Sequence, residues 1–107
     1  MPKVLLEPDL LLQSRWIPLP VFISIEGSDT HFDVSSLVTF SPVSAIWALP
    51  HLVMDENNIF IIGFLMPSWL APVSSVDLTV TTGSEEVLEN LNIELFPFLL
   101  DQGKDLM

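Results

Sequence analysis

The sequence predicts an all-β protein that folds as an antiparallel β-sandwich of about seven strands. Residues 76–80 carry apolar side chains at alternate positions with polar side chains between them, and residues 91–95 repeat the pattern. This period of two is typical of a strand with one buried and one exposed face. Nine prolines and four glycines divide the chain into segments that are too short for most helices.

The individual strands follow from the hydrophobic period and from the turn-forming residues between the segments. Pro50 separates two weaker strands and suggests a sheet edge or a change of sheet, because proline cannot donate to a ladder. Only residues 85–92 could form a helical turn or two. In the last strand, Leu91, Ile93 and Leu95 are expected to share the buried face. The predicted strands are Leu10–Gln13, Val21–Glu26, Leu37–Ser41, Ser44–Leu49, His51–Met54, Ile59–Met66, Val76–Thr81 and Leu91–Phe96.

Length and charge limit both the domain organisation and the partners. A chain of 107 residues predicts one domain over residues 1–107, with apolar terminal segments at 1–17 and 97–107. Fourteen acidic residues against three basic ones give a net charge of −11, so nucleic acid is not an expected partner. The most apolar segment, residues 57–76, contains Pro67 and Pro72, and we expect no membrane span.

The sequence contains no pattern that indicates catalysis or metal binding. There is no cysteine, and neither His31 nor His51 accompanies a nucleophile motif. Adjacent acid pairs such as those at 55–56 and 85–86 would point to opposite faces of a strand. We therefore predict that the protein is not an enzyme and that it has no cofactor, catalytic residue or metal site.

One ordered set of segments resembles a known family. The segments are Gly27-Ser28-Asp29-Thr30-His31-Phe32 after an alternating strand, then Ser36-Leu37-Val38-Thr39-Phe40, and then the strand 76–81 leading into Thr82-Gly83-Ser84-Glu85. In order and spacing they are similar to the bacterial Ig-like modules of the IPT/TIG type, over residues 18–96. Gly27 is expected to adopt a positive φ, Phe32 to close one end of the core, and Gly83 to form a hairpin turn.

The apolar residues on both faces of some strands indicate a second surface. Residues 59–66 are apolar at odd and even positions alike, so both faces of this strand carry apolar side chains. Phe22 lies between two residues expected to point inward and therefore points outward. Part of this apolar surface needs a cover outside the core. We predict a partner surface formed by Phe22, Phe60, Ile62, Phe64 and Trp69. Alternatively, the terminal segments fold back and cover these strands within one monomer.

The resemblance implies a non-catalytic Ig-like module of a bacterial exported or cell-surface protein that acts in protein–protein interaction, adhesion or assembly. Its implied location is extracellular or at the cell surface, although the chain shows no signal peptide. One alternative is a carbohydrate-binding or spacer module attached to an enzyme, with Trp16, Trp47 and Trp69 as residues that could stack on a glycan or simply pack in the core or an interface. Another is a small homo-oligomeric assembly subunit that buries residues 59–66 by self-association.

Overall fold

The computed structural model describes residues 2–96, and the predicted terminal segment 97–107 lies outside the described residues. Within residues 2–96 the chain forms nine strands and no helix. The strands are β1 (Lys3–Glu7), β2 (Leu10–Gln13), β3 (Leu19–Ser28), β4 (Leu37–Ser41), β5 (Ile46–Ala48), β6 (Leu52–Asp55), β7 (Asn58–Leu65), β8 (Ser75–Thr82) and β9 (Glu85–Leu95).

The strands form two sheets that pack face to face, which confirms the predicted all-β sandwich. Sheet A has the order β1-β3-β7-β5, and β6 pairs with β7 beside β5. Sheet B has the order β2-β9-β8-β4. The order β1-β3-β7 followed by β5 or β6, opposite β4-β8-β9, is the A-B-E-D and C-F-G arrangement of an Ig-like sandwich.

The first part of the chain contributes one strand to each sheet. β1 pairs antiparallel with β3 in sheet A, whereas β2 pairs parallel with β9 in sheet B. The chain changes sheet at Pro8, after a cis peptide bond between Glu7 and Pro8. The sandwich is therefore antiparallel except for the β2–β9 pair, and β1 is a strand that the sequence analysis did not predict.

The core consists of the inward-facing side chains of both sheets. The burial of β3, β7 and β8 alternates along each strand, as the period of two predicted. Phe32 closes the core at one end and is confirmed as a buried residue. The fully buried apolar side chains of the central strands are Ile23, Ile25, Ile59, Ile61, Leu65, Val76, Leu78, Val80 and Leu91.

Residues 85–92, the only segment that the sequence left open to a helical turn, form the first part of β9 instead. Thr82 pairs directly with Glu85, which leaves a loop of only Gly83 and Ser84 between β8 and β9. Gly83 has a φ of 60°, as expected for the first central residue of a type II′ turn. Such a short turn returns the chain beside β8 at once, so the residues after it pair as a strand.

Two local expectations about single residues are also corrected. The residue with positive φ in the 27–32 turn is Asp29, at 60°, and not Gly27. A side chain at position 27 would collide with that of Thr30, which is why glycine is required there. The expectation that Leu95 is buried is wrong: it is exposed, and it lies three residues beyond Asn92, the last residue of β9 that pairs with β8.

Candidate interaction surface

The outward side of sheet A carries a group of apolar side chains that the core does not use. In β7 the inward positions are buried, while the alternate positions, among them Phe60, Ile62 and Phe64, point away from the core. Phe22 does the same in β3. We call this group the outer apolar face. Its members are Phe22, Trp47, Leu52, Met54, Phe60, Ile62 and Phe64.

Strand pairing makes the outer apolar face continuous across neighbouring strands. Phe22 lies opposite Ile62, and its ring stacks on that of Phe60 with 6.5 Å between the centroids. Phe64 lies opposite Trp47, with 6.0 Å between the ring centroids. Because directly opposed residues in an antiparallel pair share a face, the aromatic side chains of β3, β7 and β5 form one surface.

Gly63 positions the edge of this surface. It lies in β7 opposite Ala48 of β5. A Cβ atom at position 63 would lie 2.9 Å from the carbonyl oxygen of Trp47 and 3.1 Å from the Cα of Ala48. The absence of a side chain therefore allows β5 to lie close against β7, and this places Trp47 beside Phe64.

The exposed area of the outer apolar face is near the upper end of the range for the largest apolar patch of a monomer. Phe22 and Trp47 are 57% and 59% exposed, Leu52 and Met54 more than half, and Phe64 36%. At about 200 Å² for a large side chain, these five residues expose on the order of 550 Å². Typical monomers expose a largest apolar patch of about 300–600 Å², whereas a specific interface buries about 800 Å² on each partner. The face approaches the size of a complete binding surface.

Charged side chains lie only around the outer apolar face. Glu7 is opposite Ser24, Glu26 is opposite Leu5, and Asp55 is opposite Asn58, so all three carboxylates are at its margin, with Lys3 farther along the same side of β1. The backbone N–H of Asn57 and the side-chain amide of Asn58 donate to Asp55 and lower its pKa. An apolar centre with a charged margin is the usual anatomy of a protein–protein interface.

Of the five residues predicted for the partner surface, the structure brings four together. Phe22, Phe60, Ile62 and Phe64 share the outer apolar face, whereas Trp69 lies in the loop between β7 and β8. The Trp69 indole N–H donates to the carbonyl oxygen of Trp16, 3.0 Å away. Trp16 and Trp69 thus meet through this hydrogen bond. Trp69 is exposed, and its place in the partner surface stays a prediction.

Three members of the face were not among the residues predicted for it from the sequence, namely Trp47, Leu52 and Met54. β5 has only three residues and β6 only four, and strands this short show no clear alternation. The register shift between Val53 and Asp55 obscures the pattern further. The available signal was the glycine in the apolar run of β7, since an isolated glycine in a strand often marks a close backbone approach.

The side chains that could support other chemistry are dispersed. Within residues 2–96 no group of three or more His, Cys, Asp or Glu side chains is placed to hold a metal ion. His31 Nδ1 lies 3.6 Å from a Glu85 carboxylate oxygen, and His51 Nε2 is 2.9 Å from the Ser36 carbonyl oxygen. No helix in the described part of the chain is long and apolar enough to cross a membrane.

Comparison with known proteins adds no family to this description. No protein-family model matches the chain, and no curated protein sequence matches it.

Proposed function

We propose that this β-sandwich is a non-catalytic module that binds a protein partner through the outer apolar face. The observation that carries the proposal is the continuity of Phe22, Phe60, Ile62, Phe64 and Trp47 across three paired strands. Aromatic side chains, Phe and Trp among them, are enriched at the centre of protein–protein interfaces.

Charge defines the chemistry of the partner. The chain has a net charge of −11, and the margin of the face carries Glu7, Glu26 and Asp55. A partner with an apolar centre and Lys or Arg side chains around it would match this arrangement. Because the charged groups lie at the solvent-accessible margin, binding should be slower and weaker at high salt.

The wider setting of the module follows from its resemblance to IPT/TIG modules. We place it in a bacterial exported or cell-surface protein, where it contributes to adhesion or assembly. The Ig-like sheet order supports this assignment, since it is the arrangement expected for such modules.

The partner surface is tested by position-specific photocrosslinking in extracts of the source cells. A photoreactive amino acid replaces Phe22 in one sample and Leu88 in another. Leu88 is the matched control because it is equally exposed but lies on the outward side of sheet B, opposite Thr79. Crosslinks specific to position 22 identify the partner, which is then purified and bound to the wild-type protein. Equal crosslinking at both positions, or none at position 22, would contradict the proposal.

The binding contribution of the face is measured with Phe22→Ser and the control Leu88→Ser. Truncation of a central aromatic side chain costs about 2 kcal/mol or more in binding, which is about 30-fold in Kd. Phe22→Ser should show this loss and remain folded, because the exposed side chain contributes about 1 kcal/mol or less to stability through its cross-strand contact. Equal affinities of the two variants would refute the assignment of the face.

A further inference from the structure

β4 is an edge strand with an unprotected edge. It pairs with β8 on one side and is the last strand of sheet B, and no strand within residues 2–96 pairs with its other side. Its residues are Leu37-Val38-Thr39-Phe40-Ser41, with no charged residue, proline or bulge among them. Folded proteins usually protect an edge with such features because the free N–H and C=O groups of an edge can pair with another chain.

The edge of sheet A on the same side of the sandwich is protected. Pro50 separates β5 from β6 along this edge and has no N–H to donate. The register of β6 shifts between Val53 and Asp55, which interrupts the ladder. β4 alone on this side therefore presents five consecutive residues in regular strand geometry.

A groove separates β4 from β5 and exposes apolar side chains on this side of the sandwich. Its volume is about 490 Å³, and its apolar lining residues include Val38, Phe40, Val43, Ile46, Trp47 and Leu49. None of the residues that line it carries a carboxylate, although the chain has 14 acidic residues. Val43 is 80% exposed. The edge of β4 and the groove beside it therefore carry no carboxylate that would repel a second acidic chain.

We infer that β4 pairs antiparallel with β4 of a second copy of this chain, about a twofold axis at Thr39, which joins two sheets B into one continuous sheet. In this register Thr39 lies opposite Thr39 of the second copy, and Val38 lies opposite Phe40 twice. Val38 and Phe40 both point inward and pack on the core, so each copy extends the apolar inner face of the other over the groove.

The strand pattern selects this register over its neighbours. A shift by one residue would place inward residues of one copy opposite outward residues of the other. A shift by two residues in one direction places Pro42 in the ladder, and a shift in the other direction requires Ser36, which is buried and bonded to Thr82. Only pairing centred on Thr39 uses all five residues of β4. This self-complementarity favours a second copy over an unrelated strand.

Salt should affect this association in the opposite sense to the partner binding proposed above. Each copy carries a net charge of −11, and the long-range repulsion between copies is screened by salt. The contact itself contains no carboxylate on β4 or along the groove, so no attractive ion pair is lost at high salt. The dimer population should therefore rise with salt concentration.

The inference is tested by sedimentation equilibrium of the full chain from about 1 µM to about 1 mM, a range that covers weak to moderate affinities. We expect a monomer–dimer equilibrium. Thr39→Lys opposes two like charges at the twofold axis and should weaken dimerisation by about fivefold or more. Thr81→Lys adds the same charge to the same sheet face but on β8, away from the edge, and should dimerise like the wild type. A monomer throughout this range would overturn the inference.

A mixing experiment identifies the register. Thr39→Lys and Thr39→Glu should each dimerise poorly alone, while an equimolar mixture should recover the dimer, because opposite charges then face each other across the axis. No recovery, or equal dimerisation of Thr39→Lys and Thr81→Lys, would refute β4 pairing. Phe22→Ser should leave the dimer unchanged, so failure of this inference is distinguishable from failure of the proposed partner surface.

Discussion

Gln13 provides the sharpest test of how the end of the sandwich is held. Its side chain is 1% exposed, and its Nε2 donates to the carbonyl oxygens of Met66 and Ala71, each 2.8 Å away. These two bonds tie β2 to the loop after β7, which carries Trp69. Gln13→Met keeps the length of the side chain and removes both donors.

The expected cost follows from the two carbonyl groups that lose a donor. An unsatisfied buried acceptor costs about 1–3 kcal/mol. The Ala71 interaction is buried and the Met66 interaction only partly buried, so water can solvate one carbonyl better than the other. Gln13→Met should therefore lower the free energy of unfolding by about 2–4 kcal/mol, a large share of the roughly 5–15 kcal/mol of a typical domain.

Gln13→Glu makes the same site pH-dependent. The introduced carboxylate would face two carbonyl oxygens in a buried position, which raises its pKa in the folded state above the unfolded value near 4.3. Below about pH 4.3 the carboxyl is neutral in both states and can still donate one hydrogen bond. As the pH rises above that value, the folded state resists ionisation, so the destabilisation grows until the pH passes the folded-state pKa.

Urea unfolding followed by tryptophan fluorescence measures both effects. Leu12→Met on the exposed side of the same strand is the control and should change stability by less than about 0.5 kcal/mol. A Gln13→Met variant within about 0.5 kcal/mol of the wild type would show that the two hydrogen bonds do not hold this loop. A Gln13→Glu variant whose destabilisation is constant from pH 4 to pH 7 would refute the electrostatic part of the argument.

Two further changes test the surface and its margin. Gly63→Ala should destabilise the protein by about 1–3 kcal/mol and change the fluorescence emission of Trp47, because the new methyl group would press on the backbone of β5. Wild-type stability and emission in this variant would contradict the close approach of β5 to β7. The pKa of Asp55 is lowered by the N–H of Asn57, so its stabilisation is present above the unfolded pKa near 3.9 and is lost as the pH falls through the folded value. Asp55→Asn should flatten the acid side of the stability curve, and an unchanged slope in a pH titration of urea unfolding would refute this.

The strands and their buried faces were largely predictable from the sequence. The predicted bounds of β2 and β4 agree with the structure, and those of β3, β7 and β8 differ by no more than two residues at either end. These segments have regular alternation and turn-forming residues at their ends, which are local signals. The outward position of Phe22 also follows from alternation, but residues 59–66 are apolar at odd and even positions alike, so the burial in the structure was needed to show that Phe60, Ile62 and Phe64 face outward.

The remaining features depend on contacts between distant parts of the chain. β1 is short and follows no period that distinguishes it from an apolar terminal segment. It forms a strand because it pairs with the free edge of β3. The hydrophobic period also does not indicate which sheet β2 joins, so its parallel pairing with β9 could not be predicted from the sequence. The loop that carries Trp69 is held by the bonds from Gln13 to Met66 and Ala71, which lie 53 and 58 positions further along the chain. No local sequence pattern encodes contacts between residues so far apart.

The two proposed surfaces are chemically different, although Trp47 belongs to both. Glu7, Glu26 and Asp55 border the outer apolar face at its Phe60 end, and a partner that neutralises these carboxylates loses affinity when salt screens them. The β4 edge offers backbone groups and no charge, so a second copy gains affinity when salt reduces the repulsion between two chains of net charge −11. If both surfaces are used, raising the salt concentration should shift the protein from partner-bound monomers to β4-paired dimers. A salt titration in which both associations change in the same direction would show that one surface has been assigned incorrectly.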